Sequence, residues 1–325
     1  MTQPKPQKIV CLGGGIGTVN LIRGLKSHTP EITVVVSMAD EGGSSGRLRR
    51  LYNIMPPGDI ISCVAALVDK DHELYSKLLT YRFPGDRYDT DNVLSGHKLG
   101  NLLMVAARDI TGNFHDAVAL LKNMFDITGD ILPATNDDIS LSAMTVDGMK
   151  VEGEEAIDLG KYAGNRVLDR VSITPENPSV PPGVLSAIKE ADVIVAGPGD
   201  LYTTILPVLI IPDIKNALIT ATQASKVFVV NVANKPFETK GYDVSDFISA
   251  VRNHLGIFPF SSVVVNNNFS IPIPERFQYT YVTIDKALGE AANGSYRIVQ
   301  ADLVDEKFPL YHDSEKLAEL LSKTV

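Results

Sequence analysis

The chain has 325 residues, of which 44% are hydrophobic and 21% charged, and its formal net charge is −9. That length allows one large domain or two small ones, and the composition is ordinary for a globular protein. The acidic balance argues against a polymeric nucleic-acid partner, which favours basic surfaces, but leaves room for a small phosphorylated ligand on a local basic cluster.

Met1 to Lys8 is polar, with two prolines and no apolar segment of signal-peptide type. No stretch approaches the ~20 apolar residues of a membrane-spanning helix, so a cytoplasmic chain is expected. Cys11 falls in an expected strand and Cys63 in an expected helix, where both read as core filler rather than disulfide, metal or redox groups.

Lys8 to Leu12 reads as the first strand, and Gly13-Gly14-Gly15-Ile16-Gly17-Thr18 follows directly. Val19, Leu21, Ile22 and Leu25 then recur at helical spacing. Strand, glycine turn and helix together place free N–H groups and a helix dipole where an anion can sit. No Gly-Lys-Ser/Thr follows and no G-x-G-x-x-G is completed, so neither the Walker loop nor the dinucleotide fingerprint is present.

A second strand over 31–37 leads into Ser37–Arg50, which holds two acids, three glycines, three serines and three arginines within fourteen residues. We read this stretch as a binding loop. Glycines bring backbone N–H groups near a ligand, Ser44 and Ser45 offer hydroxyls, and Arg47, Arg49 and Arg50 can make charge-assisted bonds to phosphate or carboxylate. Asp40 ends the strand where a dinucleotide fold holds a ribose hydroxyl. Pro56-Pro57-Gly58-Asp59 reads as a turn with a helix cap, followed by helices over 60–68 and 73–83. Pro84–Val93 reads as an exposed polar loop. Ser95 is expected to open a helix running to about Ile110, which would set His97 and Asn101 one turn apart on one face. A further helix is expected over 114–127.

Between 139 and 173 the pattern changes. Ile139–Met144 alternates, Asp147-Gly148 signals a hairpin, Lys150–Ile157 resumes as a strand and Arg166–Ile173 adds another. The segment reads as a small antiparallel insert, either a substrate cover or a dimer contact. Beyond a helix over 183–191, the strand 192–196 ends at Gly197-Pro198-Gly199-Asp200-Leu201-Tyr202-Thr203-Thr204, a second glycine turn feeding a helix. Strands at 226–230 and 262–265 end at Asn231 and at Asn266-Asn267-Asn268, with a helix over 243–255 between them. Late strands are expected over 279–284 and 296–301, and a closing helix over 313–323.

Alternating strands and helices imply a mainly parallel sheet, and ligands bind beyond the carboxyl ends of such strands. Five expected strands end in unusual loops, at Gly13, Asp40, Gly197, Asn231 and Asn266, which would share one edge. The fold class expected is α/β and Rossmann-like, a helix-flanked parallel sheet with a β insert near 139–173, all within a single domain spanning 1–325.

At these residues the chain resembles the YvcK proteins, called gluconeogenesis factors, which belong with the CofD 2-phospho-L-lactate transferases. The matching motifs are the glycine turn 13–17, Ala39–Arg49, Pro56–Asp59, Ser95–Leu102, Leu132–Thr135, Gly197–Thr203, Glu238–Tyr242 and His312-Asp313. The Gly-Gly-Ser-Ser-Gly-Arg loop draws it to the YvcK side. The resemblance implies a UDP-sugar ligand and a bacterial protein needed for cell shape and wall synthesis under gluconeogenic growth, with a homo-oligomer and a wall-synthesis partner expected. The CofD branch implies transfer of a phospholactyl group from a nucleotide-activated donor, with magnesium. Three departures stand out: Glu41 replaces the usual second aspartate, Asp200 stands where serine is usual, and Asn234-Lys235-Pro236-Phe237 replaces a Thr-Gln-Pro-Gly run.

Two functions follow as expectations. In a UDP-sugar sensor, Gly13, Gly14, Gly15, Gly17 and Thr18 would cradle phosphate together with Gly197, Pro198, Gly199, Leu201, Tyr202 and Thr203. Asp40 would hold ribose or magnesium, Asn231, Asn266 and Asn267 would meet base or sugar, and Gly43, Ser44, Ser45, Arg47, His97 and Asn101 would complete the site. In a CofD-like transferase, Asp40 or Glu41 would hold magnesium or orient the acceptor hydroxyl, while Arg47 would stabilise phosphoryl charge. A nicotinamide-dependent oxidoreductase fits the fold but lacks the fingerprint.

Overall fold

Short runs of Val and Ile without polar alternation, such as Ile32–Val36 and Val193–Ala196, suit strands buried on both faces. The computed structural model describes residues 6–29, 31–69, 72–86, 93–163, 167–284 and 296–324. Its strands are β1 Ile9–Gly13, β2 Ile32–Val36, β3 Asp130–Pro133, β4 Ser140–Thr145, β5 Lys150–Glu152, β6 Leu168–Thr174, β7 Val193–Ala196, β8 Ser225–Val229, β9 Ala233–Asn234, β10 Ser262–Asn266, β11 Thr280–Tyr281 and β12 Arg297–Ala301. Among the described residues, seven of these form one sheet in the order β12-β10-β8-β7-β1-β2-β3, and every pairing in it is parallel.

The helices are α1 Gly15–Leu25, α2 Gly43–Tyr52, α3 Gly58–Leu67, α4 His72–Thr80, α5 Leu99–Thr111, α6 Phe114–Phe125, α7 Glu154–Asp158, α8 Pro182–Glu190, α9 Leu206–Leu209, α10 Pro212–Thr220, α11 Val244–Leu255 and α12 Ser314–Thr324. They flank the sheet, and the residues of β1, β2, β7 and β10 are buried almost throughout. The insert is present: β5, β4 and β6 form a separate antiparallel sheet. No single described helix is long and apolar enough to cross a membrane.

The chain builds the sheet outward from β1. It first lays β2 and β3 on one side, then β7, β8, β10 and β12 on the other. The order therefore reverses beside β1, where the loops leaving β1 and β7 diverge and open a crevice. The five strand ends singled out in the sequence belong to β1, β2, β7, β8 and β10, which are consecutive neighbours with their carboxyl ends on one edge.

Several local expectations are corrected. The stretch read as a loop from Gly43 onward is helix α2. Asp40 serves its open N-terminus, taking the Gly42 N–H at 3.0 Å, Arg49 and Arg50 lie in its last turn, and Leu48 packs with Ile54 and Val105. The helix expected from Ser95 begins at Leu99, because residues 96–99 pair with 81–83 instead: Phe83 N–H donates to the His97 carbonyl and Leu99 N–H to that of Tyr81. The same pairing ends α4 at Thr80 rather than Phe83. The strand expected over 150–157 stops at Glu152, and Glu154 and Glu155 then occupy the first turn of α7, where acids are favoured. Strand 279–284 shortens to β11, which pairs with β9 rather than with the main sheet. The edge strand β3 and helix α10 were not anticipated. The loop residues 87–92 and Arg166 lie outside the described residues.

The packing of α1 on α12 sets a sharp steric requirement. A Cβ on Gly24 would fall inside the Ser314 carbonyl oxygen and 2.8 Å from the Ala318 Cβ. Gly24→Ala should therefore lower unfolding free energy by about 1–3 kcal/mol through overpacking. Urea denaturation measures this, and an unchanged midpoint would show that the two helices separate freely.

Candidate functional site

Two hollows lie along the carboxyl edge. The larger, about 400 Å³, is bounded by Gly14–Gly17, Pro198–Asp200, Asn231–Ala233 and Lys235, with Tyr279, Tyr311 and His312 opposite. The smaller, about 170 Å³, is bounded by Asp40, Gly43–Ser45, Asp59, Lys98, Asn101 and Glu154. Asp158 and Leu159, at the end of α7, line both, so the hollows form one cleft with two lobes.

In the glycine lobe the two predicted turns face each other. A Cβ on Gly17 would come within 2.5 Å of the Pro198 carbonyl oxygen, so only glycine permits this approach. Thr18 Oγ1 accepts the Gly14 N–H at 2.9 Å and donates to Pro198 O at 3.3 Å, tying the turns together. Asn231 Oδ1 accepts the Gly199 N–H at 3.0 Å. The N-terminus of α1 is served from the neighbouring lobe, where Asp59 Oδ2 accepts the Gly15 N–H at 2.8 Å.

The acidic lobe crowds half-buried carboxylates. Burial, then the charge of Asp40, pushes Asp59 up to about 7. Burial pushes Glu154 up to about 9, with Asp40 and Asp158 adding to it. Asp40 itself is raised by burial, against the opposing hydrogen bonds of Ser45 and Gly42. Two cations, Arg82 and Lys98, also line the lobe; the Lys98 ammonium donates to Ser62 Oγ at 3.0 Å, and burial lowers its pKa despite Asp59. Ser44 Oγ joins His97 Nδ1 at 2.8 Å and accepts from Asn101 Nδ2 at 3.0 Å, so the three predicted residues meet although His97 precedes the helix.

Between the lobes, Lys235 ion-pairs with Asp158, with Asp200 at 2.7 Å and with Glu238 at 3.3 Å. Burial pulls the lysine pKa down, but the three carboxylates outweigh it and hold it well above its ordinary value. Their oxygens lie within 4.8 Å of one another, a spacing suited to a metal ion, yet the Lys235 ammonium already binds all three. Asp200 and Lys235, both singled out in the sequence, are thus direct partners.

Other predicted residues face elsewhere. Arg47 donates to the carbonyls of Ser95, at 2.8 Å, and Val93. Glu41 is clasped to α7: its carboxylate accepts the Glu154 N–H at 3.2 Å, its own N–H donates to Glu154, and Arg49 pairs with it at 3.7 Å. Leu201, Tyr202 and Thr203 form a buried π-helical turn (Leu201–Ile205), with Tyr202 N–H and Thr203 Oγ1 both held by Glu238. Gly13 and Gly197 end β1 and lead out of β7, behind the lining residues. Asn266 binds within its own turn and takes the Leu303 N–H at 3.1 Å, and Asn267 N–H donates to Ala301. Neither asparagine lines the cleft.

Sequence reading missed Asp59 as a site residue, having taken it for a cap, and it passed over Lys98, Glu154, Asp158, Lys235 and His312 as cleft groups. For Asp59 the available signal was an acid at the opening of a predicted helix, beside the edge where the strand-end loops gather.

The family described as 2-phospho-L-lactate transferase CofD matches residues 9–325. The gluconeogenesis factor of Bacillus subtilis strain 168 is 38% identical over 320 residues, covering 97% of this chain and 96% of the relative. That of Halalkalibacterium halodurans is 37% identical over 328 residues, covering 98% and 96%. A crystal structure of a UPF0052-family protein from Bacillus halodurans superposes with a TM-score of 0.87 at 35% identity, over 98% of this chain and 99% of that one.

The raised carboxyls fix a pH dependence. Unfolded, both titrate near about pH 4, whereas folded Asp59 keeps its proton to about 7 and Glu154 to about 9. Between those limits the folded state binds more protons, so stability falls as pH rises, by at most about 1.4 kcal/mol per pH unit for each proton. Glu154→Gln should flatten the loss between neutral pH and pH 9. Urea titrations across that range measure it, and an unaltered slope would assign the dependence to other groups.

Proposed function

The chain belongs to the CofD family, on its gluconeogenesis-factor side, and on that premise we propose that it is a nucleotide-sugar-binding regulatory protein whose ligand is a UDP-sugar. The observation that carries this reading is the pair of glycine turns, Gly14–Gly17 and Pro198–Gly199, facing each other at the reversal of strand order. The diphosphate would lie against these turns, with nucleoside and sugar extending past Asn231 and Tyr311. The regulatory reading adds that the ligand-bound state acts on wall synthesis and cell shape during gluconeogenic growth, in the cytoplasm, through a partner protein and as a homo-oligomer.

Magnesium fits the acidic lobe. Asp40 and Asp59 are half-buried carboxylates, Asp40 raising the proton affinity of Asp59, and such hard oxygen donors suit this ion. They would hold it, and bound there it would neutralise charge on the diphosphate. The same pair supports a second reading, a CofD-like transfer of a phosphate-linked group. Arg47 and Glu41 are committed to the contacts described above, so in that reading Asp40 and Asp59 would orient the acceptor hydroxyl.

Calorimetric titration with UDP-N-acetylglucosamine, GDP and NAD, each with and without magnesium, tests these readings. Binding of the UDP-sugar, recovered intact, is the expected result. Preference for GDP with a magnesium requirement would favour the transferase, and binding of NAD alone would overturn both. Asp40→Ala should weaken UDP-sugar binding about tenfold or more while leaving the protein folded, and should abolish any gain from magnesium. Unchanged affinity in that variant would remove Asp40 from the site. Magnesium should also reduce the loss of stability at alkaline pH, because it favours the ionised carboxylates. An unaltered thermal midpoint at pH 9 would count against a metal at this pair.

A further inference from the structure

His312 immediately precedes Asp313, whose carboxylate caps α12 by accepting the N–H groups of Glu315 and Lys316, both at 3.0 Å. His312 is among the residues that bound the glycine lobe, and 3% of its surface is exposed. It donates to the carbonyl of Val230, at the end of β8. That bond uses the Nδ1 proton and fixes the tautomer, leaving Nε2 as a bare acceptor. Among the described residues, no group hydrogen-bonds Nε2. A buried polar atom without a partner is costly and uncommon, and one on a cleft wall points to a group that arrives from outside. Burial also pushes the imidazole pKa down to about 4, so the ring carries no charge at neutral pH. An ionised phosphate, which offers only acceptor oxygens, would set lone pairs against lone pairs there.

We propose that His312 Nε2 accepts a hydrogen bond from a donor on the bound ligand, a sugar or ribose hydroxyl or the imide N–H of a pyrimidine base, making His312 a specificity-determining residue of the cleft. This inference rests on the nucleotide-sugar reading and deepens it. The glycine turns would fix the phosphates, and His312 would fix which end of the ligand lies beyond them. A buried acceptor of this kind discriminates strongly, because an analogue without the donor leaves it unpaired again.

Calorimetric titrations of wild-type protein, His312→Phe and His312→Gln with UDP-N-acetylglucosamine test it. The same proteins are then titrated with UDP, which lacks the sugar, and with analogues lacking one ribose hydroxyl or methylated at uracil N3. His312→Phe should weaken parent binding about tenfold or more. His312→Gln, which keeps an acceptor near the same point, should recover part of it. The penalty should vanish for the one analogue that lacks the matching donor, which names the donor. Parent binding equal to wild type in His312→Phe, or one uniform loss for every ligand, overturns the proposal. If His312→Phe does not fold, the ¹⁵N resonance of the wild-type His312 Nε2 decides: it should move on addition of UDP-N-acetylglucosamine, and a static resonance overturns the proposal. Wild-type protein that binds no uridine ligand would overturn the nucleotide-sugar reading and this inference with it. Binding that is indifferent to His312 overturns the inference alone.

Discussion

The reversal of strand order beside β1 is the constraint from which the cleft follows. Because β2 and β3 are laid on one side of β1 and β7, β8, β10 and β12 on the other, the loops leaving β1 and β7 part company. Parallel pairing then puts every neighbouring strand end on the same edge. The crevice is closed to a usable width by contact between the two glycine turns. Without Gly17 that contact fails, since the Pro198 carbonyl occupies the space of a side chain. The backbone thus provides the shape, and side chains from distant segments provide the charge.

That charge is mostly half-buried and mostly of one sign. Asp40, Asp59 and Glu154 face one ammonium, and Asp158, Asp200 and Glu238 surround another. Burial, with neighbouring acids adding to it, pushes Asp59 and Glu238 up to about 7 against the pull of Lys98 and Lys235. Such a site gains from any cation that enters and from any proton it is allowed to keep. In the proposed reading an anionic ligand would lie against the backbone turns rather than among these acids.

Much of this architecture is legible in the sequence. The Val/Ile runs of β1, β2, β7 and β10 announce buried parallel strands, and the loops after them announce the edge. Asp147-Gly148 marks the hairpin of the insert correctly. The stretch 43–50 looks like a loop because glycine and serine are poor helix formers, and only the packing of Leu48 and the Asp40 contact show why it is a helix. His97 and Asn101 do meet, but through Ser44 rather than through helical spacing, a contact between segments 53 and 57 residues apart. Arg47 looks like a phosphate ligand by type, yet nearby carbonyls claim its guanidinium. Asp59, Glu154 and Lys235 were hidden for the opposite reason: each looks local in sequence and acts across the fold.

The insert is more than an appendage to the sheet. Helix α7 follows its hairpin, is clasped to the β2–α2 turn by reciprocal bonds between Glu41 and Glu154, and ends at Asp158. Asp158 lines both lobes and shares the Lys235 ammonium with two other acids. Whatever fills one lobe therefore alters the field felt in the other. Thermodynamic linkage makes that influence mutual: the factor by which an occupant of the acidic lobe changes affinity in the glycine lobe equals the factor in the reverse direction. One aspartate at the end of a five-residue helix would thus link the two hollows if both were filled.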